Sequence, residues 1–292
     1  MRGWAAVPRA LLRAPNIAPL LALLLALLLA GCAGTVTTTP GGVTIDTRYR
    51  SQGQDSRVLF LILHYTAGSL PVSVKVLTER EVSAHYLVSD EAEPRIFRLV
   101  PEERRAWHSG ASGWQGHRLL NASSIGIEIV HPGARVGPNG ERTQEPFPAA
   151  QIDVLIPLLR DLVARHQIRP ERILGHGEVS PSYKEDPGPS FPWRRLADEG
   201  IVPPWPDAAR VEARRAVFEA ALPDEAWFQR KLAEHGYPID AEAPLDRPEQ
   251  RELLQRVLMN FQMRYRPARH DGLPDAESAA ILWVLTAPAA PD

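Results

Sequence analysis

Residues 58–66 read Val-Leu-Phe-Leu-Ile-Leu-His-Tyr-Thr. Val58 to Leu63 is a continuous apolar run between polar flanks, the pattern of a strand buried on both faces. His64 closes the run where a sheet gives way to the loop Tyr65-Thr66-Ala67. Downstream, Ile125-Gly126-Ile127-Glu128-Ile129-Val130 puts its isoleucines on one face of a strand and Glu128 on the other. Tyr86-Leu87-Val88 and Ile96 to Val100 are two further short strands. From Ala149 to His166 the apolar residues Ile152, Leu155, Ile156, Leu159, Leu162 and Val163 form a helical stripe, which Pro157 is expected to bend or interrupt. Ile173-Leu174-Gly175 reads as a last strand delivering His176 to the sheet edge. Strands interleaved with helices specify an α/β domain on one mixed central sheet flanked by helices.

A second unit follows Pro203-Pro204-Trp205-Pro206. Four helical segments are expected, at Val211 to Leu222, Ala226 to His235, Glu249 to Tyr265 and Asp275 to Leu285, with turns at Gly236, Pro238 and Gly272. Leu253, Leu254, Val257, Leu258 and Phe261 repeat at three and four, so this unit is a small all-α helical bundle.

The first residues have the marks of a processing signal. Arg2, Arg9 and Arg13 precede an almost unbroken Leu and Ala stretch from Leu20 to Ala30, and Leu29-Ala30-Gly31 lead into Cys32, the chain's single cysteine. The pattern resembles the lipobox of bacterial lipoproteins, which implies a leader over 1–31 and a lipid on Cys32. Ala33 and Gly34, where an aspartate would favour the inner membrane, imply an outer-membrane lipoprotein facing the periplasm. A lipidated Cys32 leaves no thiol for a disulfide or for nucleophilic catalysis. Residues 32–55, Thr-, Gly- and Ser-rich, read as a flexible tether. The α/β domain is then 56–205 and the bundle 206–292. Without the leader, 30 basic side chains face 35 acidic ones, a balance that argues against a nucleic-acid partner.

The chemistry concentrates in Gly175-His176-Gly177-Glu178 and Lys184-Glu185-Asp186-Pro187-Gly188-Pro189. Two imidazoles, His64 and His176, with the carboxylate of Asp186 are the donor set of a catalytic zinc ion that keeps one position for water. Such a set suits zinc better than magnesium, which prefers all-oxygen shells. The glycines beside His176 are expected to let the backbone turn. Glu128, a carboxylate on an apolar strand, is a candidate base or else a glutamate on a solvated face. Lys184, two residues before Asp186, is a candidate for stabilising an oxyanion, or a surface lysine. Ser109 and Ser112 lie near His108, but Gly110-Ala111-Ser112-Gly113-Trp114 does not form a nucleophile elbow.

His64-Tyr65-Thr66, Ser83-Ala84-His85-Tyr86-Leu87-Val88, Ala106-Trp107-His108, Ser124-Ile125-Gly126-Ile127-Glu128 and Gly175-His176 with Lys184-x-Asp186-Pro-Gly-Pro together resemble the zinc N-acetylmuramoyl-L-alanine amidases of the type-2 amidase family. The lipobox and trailing bundle fit its AmiD-type lipoprotein members. The resemblance covers about residues 56–205. It implies hydrolysis of the amide between the lactyl group of N-acetylmuramic acid and L-alanine in peptidoglycan or its fragments. It further implies one zinc ion on His64, His176 and Asp186, with Glu128 and Lys184 as the catalytic pair. Tyr65, His85, Trp107, His108 and Asn121 are candidate substrate contacts. Of these, His85 equally fits a structural role, Trp107 a core position and Asn121 a loop-fixing one. The stretch His131 to Pro148 is expected to flank the cleft. In the bundle, Leu232-x-x-x-Gly236-Tyr237, Phe261-Gln262, Asp271-Gly272-x-x-Asp275 and Leu282 resemble a three-helix peptidoglycan-binding domain; a bundle that only stabilises its neighbour has the same pattern. The expected partners are peptidoglycan and, through the lipid, a membrane, with the protein a monomer. The alternative is a non-catalytic wall-binding lipoprotein.

Overall fold

The computed structural model describes residues 35–139 and 141–287. The expected leader and Cys32 lie outside the described residues. Among the described residues, 35–54 and those from Asp55 onward form two separate units. In the first, strands β1 (Val36–Thr38) and β2 (Thr44–Asp46) pair antiparallel, with every residue exposed. The segment read as a tether thus carries a hairpin, closed at Gly42 by the positive φ that glycine tolerates.

The second unit continues with β3 (Phe60–Tyr65), α1 (Leu70–Glu79), β4 (Tyr86–Val88), β5 (Ile96–Arg98), β6 (Gly113–Trp114), β7 (His117–Arg118) and β8 (Ser124–Ile129). Then come β9 (Ala134–Val136), β10 (Arg142–Gln144), α2 (Ala149–His166), β11 (Ile173–Gly175), α3 (His176–Val179) and α4 (Trp193–Asp198). The chain closes with α5 (Ala208–Ala220), α6 (Glu225–His235), α7 (Pro248–Tyr265) and α8 (Ala276–Thr286). The central sheet has the order β11-β3-β8-β4-β5 and is mixed: its first four strands are parallel and β5 is antiparallel to β4.

Period two explains how the sheet is covered. Leu61 and Leu63 of β3, with Ile125, Ile127 and Ile129 of β8, share a core with Ile152, Leu155, Ile156, Leu159 and Leu162 of α2. The alternate residues Phe60 and Ile62, with Leu174 of β11, share another with Phe228, Leu232, Leu258, Phe261 and Leu282 of the bundle. His64 continues the second series, so its side chain leaves the sheet on the bundle side.

Helix α2 has the expected bounds, but Pro157 does not interrupt it. That proline is on the exposed side, where the carbonyl it leaves unpaired is open to water, while the buried leucines and isoleucines hold the other side to the sheet. No described helix is long and apolar enough to cross a membrane.

Because sheet and bundle share one core, Phe261→Ala is expected to destabilise the whole unit by about 3–5 kcal/mol. Urea unfolding should show one shifted transition; a separate transition for the bundle would contradict the shared core.

Candidate metal centre

Strands β3 and β11 are parallel neighbours with Leu63 opposite Gly175, so His64 and His176 emerge side by side at their C-terminal ends. Open α/β sheets place their sites at that edge. Asp186 arrives by a loop held to the same edge: the Gly177 N–H donates to its carbonyl (2.8 Å) and Pro187 packs where a Cβ on Gly175 would sit 2.7 Å away. A Cβ on Gly177 would collide with Asn260. Neither glycine has a positive φ. The two glycines therefore serve close packing, not the turn expected of them.

The three residues are 1%, 4% and 8% exposed. His64 Nδ1 is 3.0 Å from His176 Nδ1 and 3.1 Å from Asp186 Oδ2, and His176 Nδ1 is 3.2 Å from the same oxygen. Donor atoms about 2.0 Å from a tetrahedral ion lie about 3.3 Å apart, so the spacing suits zinc.

Protons decide the matter further. Ser124 Oγ donates to the Leu120 carbonyl (2.6 Å) and so must accept from His108 Nε2–H (3.1 Å). Burial, with His64 and His85 close by, holds the His108 pKa well below the imidazole range, so its Nδ1 carries a lone pair. That lone pair accepts from His64 Nε2–H (3.1 Å). His64 is itself held neutral, its pKa pushed down to about 4 by burial and His176 against the opposing pull of Asp186. Its Nδ1 is left with a lone pair that faces a carboxylate oxygen. Two acceptors 3.1 Å apart repel unless a cation lies between them, so this donor set fits a metal ion. Gly126 makes the relay possible, since a Cβ there would strike the His108 ring.

Glu128 is directly across from His64 in the β3–β8 register. Burial and the charge of Asp186 push its pKa up to about 8, against the pull of Lys184. Its Oε2 is buried with no hydrogen-bond partner among the described residues. Asp186 keeps its carboxyl far below the usual range despite burial, chiefly through the charge and hydrogen bond of His176.

These groups line a cleft of about 550 Å³ that Tyr65, Trp107, His108 and Lys184 also line. Trp107 is 53% exposed, in the cleft rather than the core. Two other candidates make structural hydrogen bonds. His85 accepts from the Gly126 N–H (3.0 Å) and donates to the Arg104 carbonyl (3.1 Å). Asn121 Oδ1 accepts from the N–H groups of His108 and Ser109 (3.1 and 2.8 Å), which fixes the loop carrying His108. The stretch 131–148 forms the β9–β10 hairpin, whose Arg142 pairs with Glu185 of the cleft wall.

Sequence reasoning missed Ser124, Glu178 and the helix α7 residues Asn260 and Arg264. Glu178 Oε2 accepts from the Gly175 N–H (2.7 Å) and from Arg264 (2.8 Å), while Asn260 donates to the Lys184 carbonyl (3.2 Å). Only Glu178 left a local signal: it follows three residues after Gly175, the spacing of a helix N-terminal cap.

Residues 54–189 match the family model described as N-acetylmuramoyl-L-alanine amidase. The chain is 43% identical over 263 residues to the N-acetylmuramoyl-L-alanine amidase AmiD of Escherichia coli, covering 88% of this chain and 92% of that protein. The fold matches the AmiD complex with the substrate anhydro-N-acetylmuramic acid-L-Ala-D-γ-Glu-L-Lys at a TM-score of 0.74 and 38% identity, over 86% of this chain and 96% of that one. AmpDh3 of Pseudomonas aeruginosa matches with the same TM-score at 37% identity, over 83% of this chain and 97% of that one.

The relay implies that Ser124→Ala, by freeing His108 to take the other tautomer, weakens metal binding about tenfold or more. Competition against a chromogenic chelator measures this. An unaltered affinity would remove the relay from the account of the site.

Proposed function

Because this chain belongs to the N-acetylmuramoyl-L-alanine amidase family, we propose that His64, His176 and Asp186 hold its zinc ion while Glu128 and Lys184 carry the proton and charge traffic of the reaction. The enzyme is an N-acetylmuramoyl-L-alanine amidase, a hydrolase of the bond between N-acetylmuramic acid and L-alanine in peptidoglycan or its fragments. The observation that carries the zinc assignment is the convergence of His64 Nδ1, His176 Nδ1 and Asp186 Oδ2 within 3.2 Å of one another, with the His64 Nε2 proton committed to His108. Bound zinc supplies Lewis acidity, polarising a carbonyl and acidifying a water.

The protein side of the mechanism follows from position. Glu128, with a free buried oxygen across the sheet register from His64, takes the proton of the attacking water and returns it to the departing amine. Lys184, in the same cleft, supplies positive charge to the scissile oxygen as it becomes tetrahedral. Trp107 offers an exposed aromatic face to a sugar ring or to the peptide. Retention of all five residues counts against a receptor that only binds the wall.

The small residues before Cys32 support a lipid anchor, and Ala33 and Gly34 after it support a place at the outer membrane, facing the periplasm. Mass spectrometry of the mature N-terminus is expected to find lipid on Cys32; an unmodified Cys32 overturns the anchor.

Two variants separate the proposed roles. Asp186→Ala is expected to lose both metal and activity. Glu128→Gln should retain zinc, measured by elemental analysis, and lose about 100-fold or more in kcat. Full turnover by the Glu128 variant would exclude it as the base.

A further inference from the structure

Helix α7 places Arg256, Asn260 and Arg264 at intervals of four, on one face, alongside the catalytic loop. Arg264, 5% exposed, pairs with Glu178, whose carboxylate also holds the Gly175 N–H beside His176. Asn260 holds the Lys184 carbonyl and fills the space that a side chain at Gly177 would need. Arg256, the third residue of the stripe, lines the cleft itself. Its Nε is engaged by Glu252 (3.2 Å), and its two terminal nitrogens have no hydrogen-bond partner among the described residues.

Among the described residues, the cleft has two lysine or arginine side chains on its wall, Lys184 and Arg256. Lys184 is committed to the scissile oxygen, and Glu185 is already paired with Arg142, so Arg256 has no assigned anion. The proposed substrate restricts what that anion can be. The lactyl carboxyl is consumed in the amide and the N-acetyl sugars are neutral, so the negative charges are on the stem peptide. A γ-linked glutamate leaves its α-carboxylate free as a branch near the bond to be cut.

We propose that Arg256 is a specificity residue for this enzyme, supplied by the C-terminal bundle and recognising the free α-carboxylate of a γ-linked glutamate in the stem peptide. Helix α7 holds it by gripping the catalytic loop through Asn260 and Arg264. Recognition of a planar carboxylate by a guanidinium with both terminal nitrogens available is the pairing such a group favours. The bundle thereby acts as a wall of the cleft. The inference rests on the amidase reading above.

The test compares anhydro-N-acetylmuramic acid-L-Ala-D-γ-Glu-L-Lys with the same molecule carrying an amidated α-carboxyl. The full-length enzyme is expected to have a KM about tenfold lower for the acid. In Arg256→Gln that preference should collapse to about one, with the loss in KM rather than kcat and the zinc content intact; Arg256→Lys should recover part of it. If the enzyme cleaves both substrates and Arg256→Gln keeps the preference, or loses activity equally on both, the specificity role is refuted while the amidase reading stands. If the zinc-loaded enzyme cleaves neither, the underlying reading fails and this one with it.

Discussion

The parallel register of β3 with β11 and β8 is the constraint on which everything else rests. Neighbouring strands are about 4.8 Å apart, so two residues at matching strand ends present side chains within reach of one ion. Leu63 opposite Gly175 sets His64 beside His176, and His64 opposite Glu128 sets a carboxylate beside both. A slip of one residue would turn His64 into the α2 core and bring Leu63 to the site. Leu61, Leu63 and the three isoleucines of β8 prevent that slip, because each is fully buried against α2. The hydrophobic core is thus what aims the histidines.

Burial has a second effect, on protons. Imidazoles taken out of water favour their neutral form, the form that has a lone pair for a cation. The chain from His64 through His108 and Ser124 to a backbone carbonyl then decides which nitrogen keeps that lone pair. A hydroxyl has one proton to give; its commitment to Leu120 propagates through two rings. Burial also raises Glu128, so the same dry environment favours a neutral imidazole and a protonated carboxyl alike.

Much of this was legible in the sequence. The apolar run ending at His64, the alternation around Glu128, the α2 stripe and the edge strand before His176 follow local periods, and the structure has all of them. Local reasoning went astray where a residue's role depends on what packs against it. Pro157 is tolerated because its side of α2 faces solvent, and the glycines around His176 answer to Pro187 and Asn260. For His85 and Asn121 the sequence left a structural role open beside a substrate contact, and their hydrogen bonds to backbone groups supply the structural one.

From the sequence alone came the residue types that can hold a zinc ion, the two strands that carry its histidines and the short spacing from Lys184 to Asp186. These are local properties, set by side-chain chemistry and by the two-residue and 3.6-residue periods of the backbone. The tertiary structure alone decided that the bundle would close over the second face of the sheet, that Arg264 would reach Glu178, and that Ser124 would govern the proton on His64. Those contacts join residues many tens of positions apart, or depend on which ring atom faces which, and no periodicity along a chain encodes them.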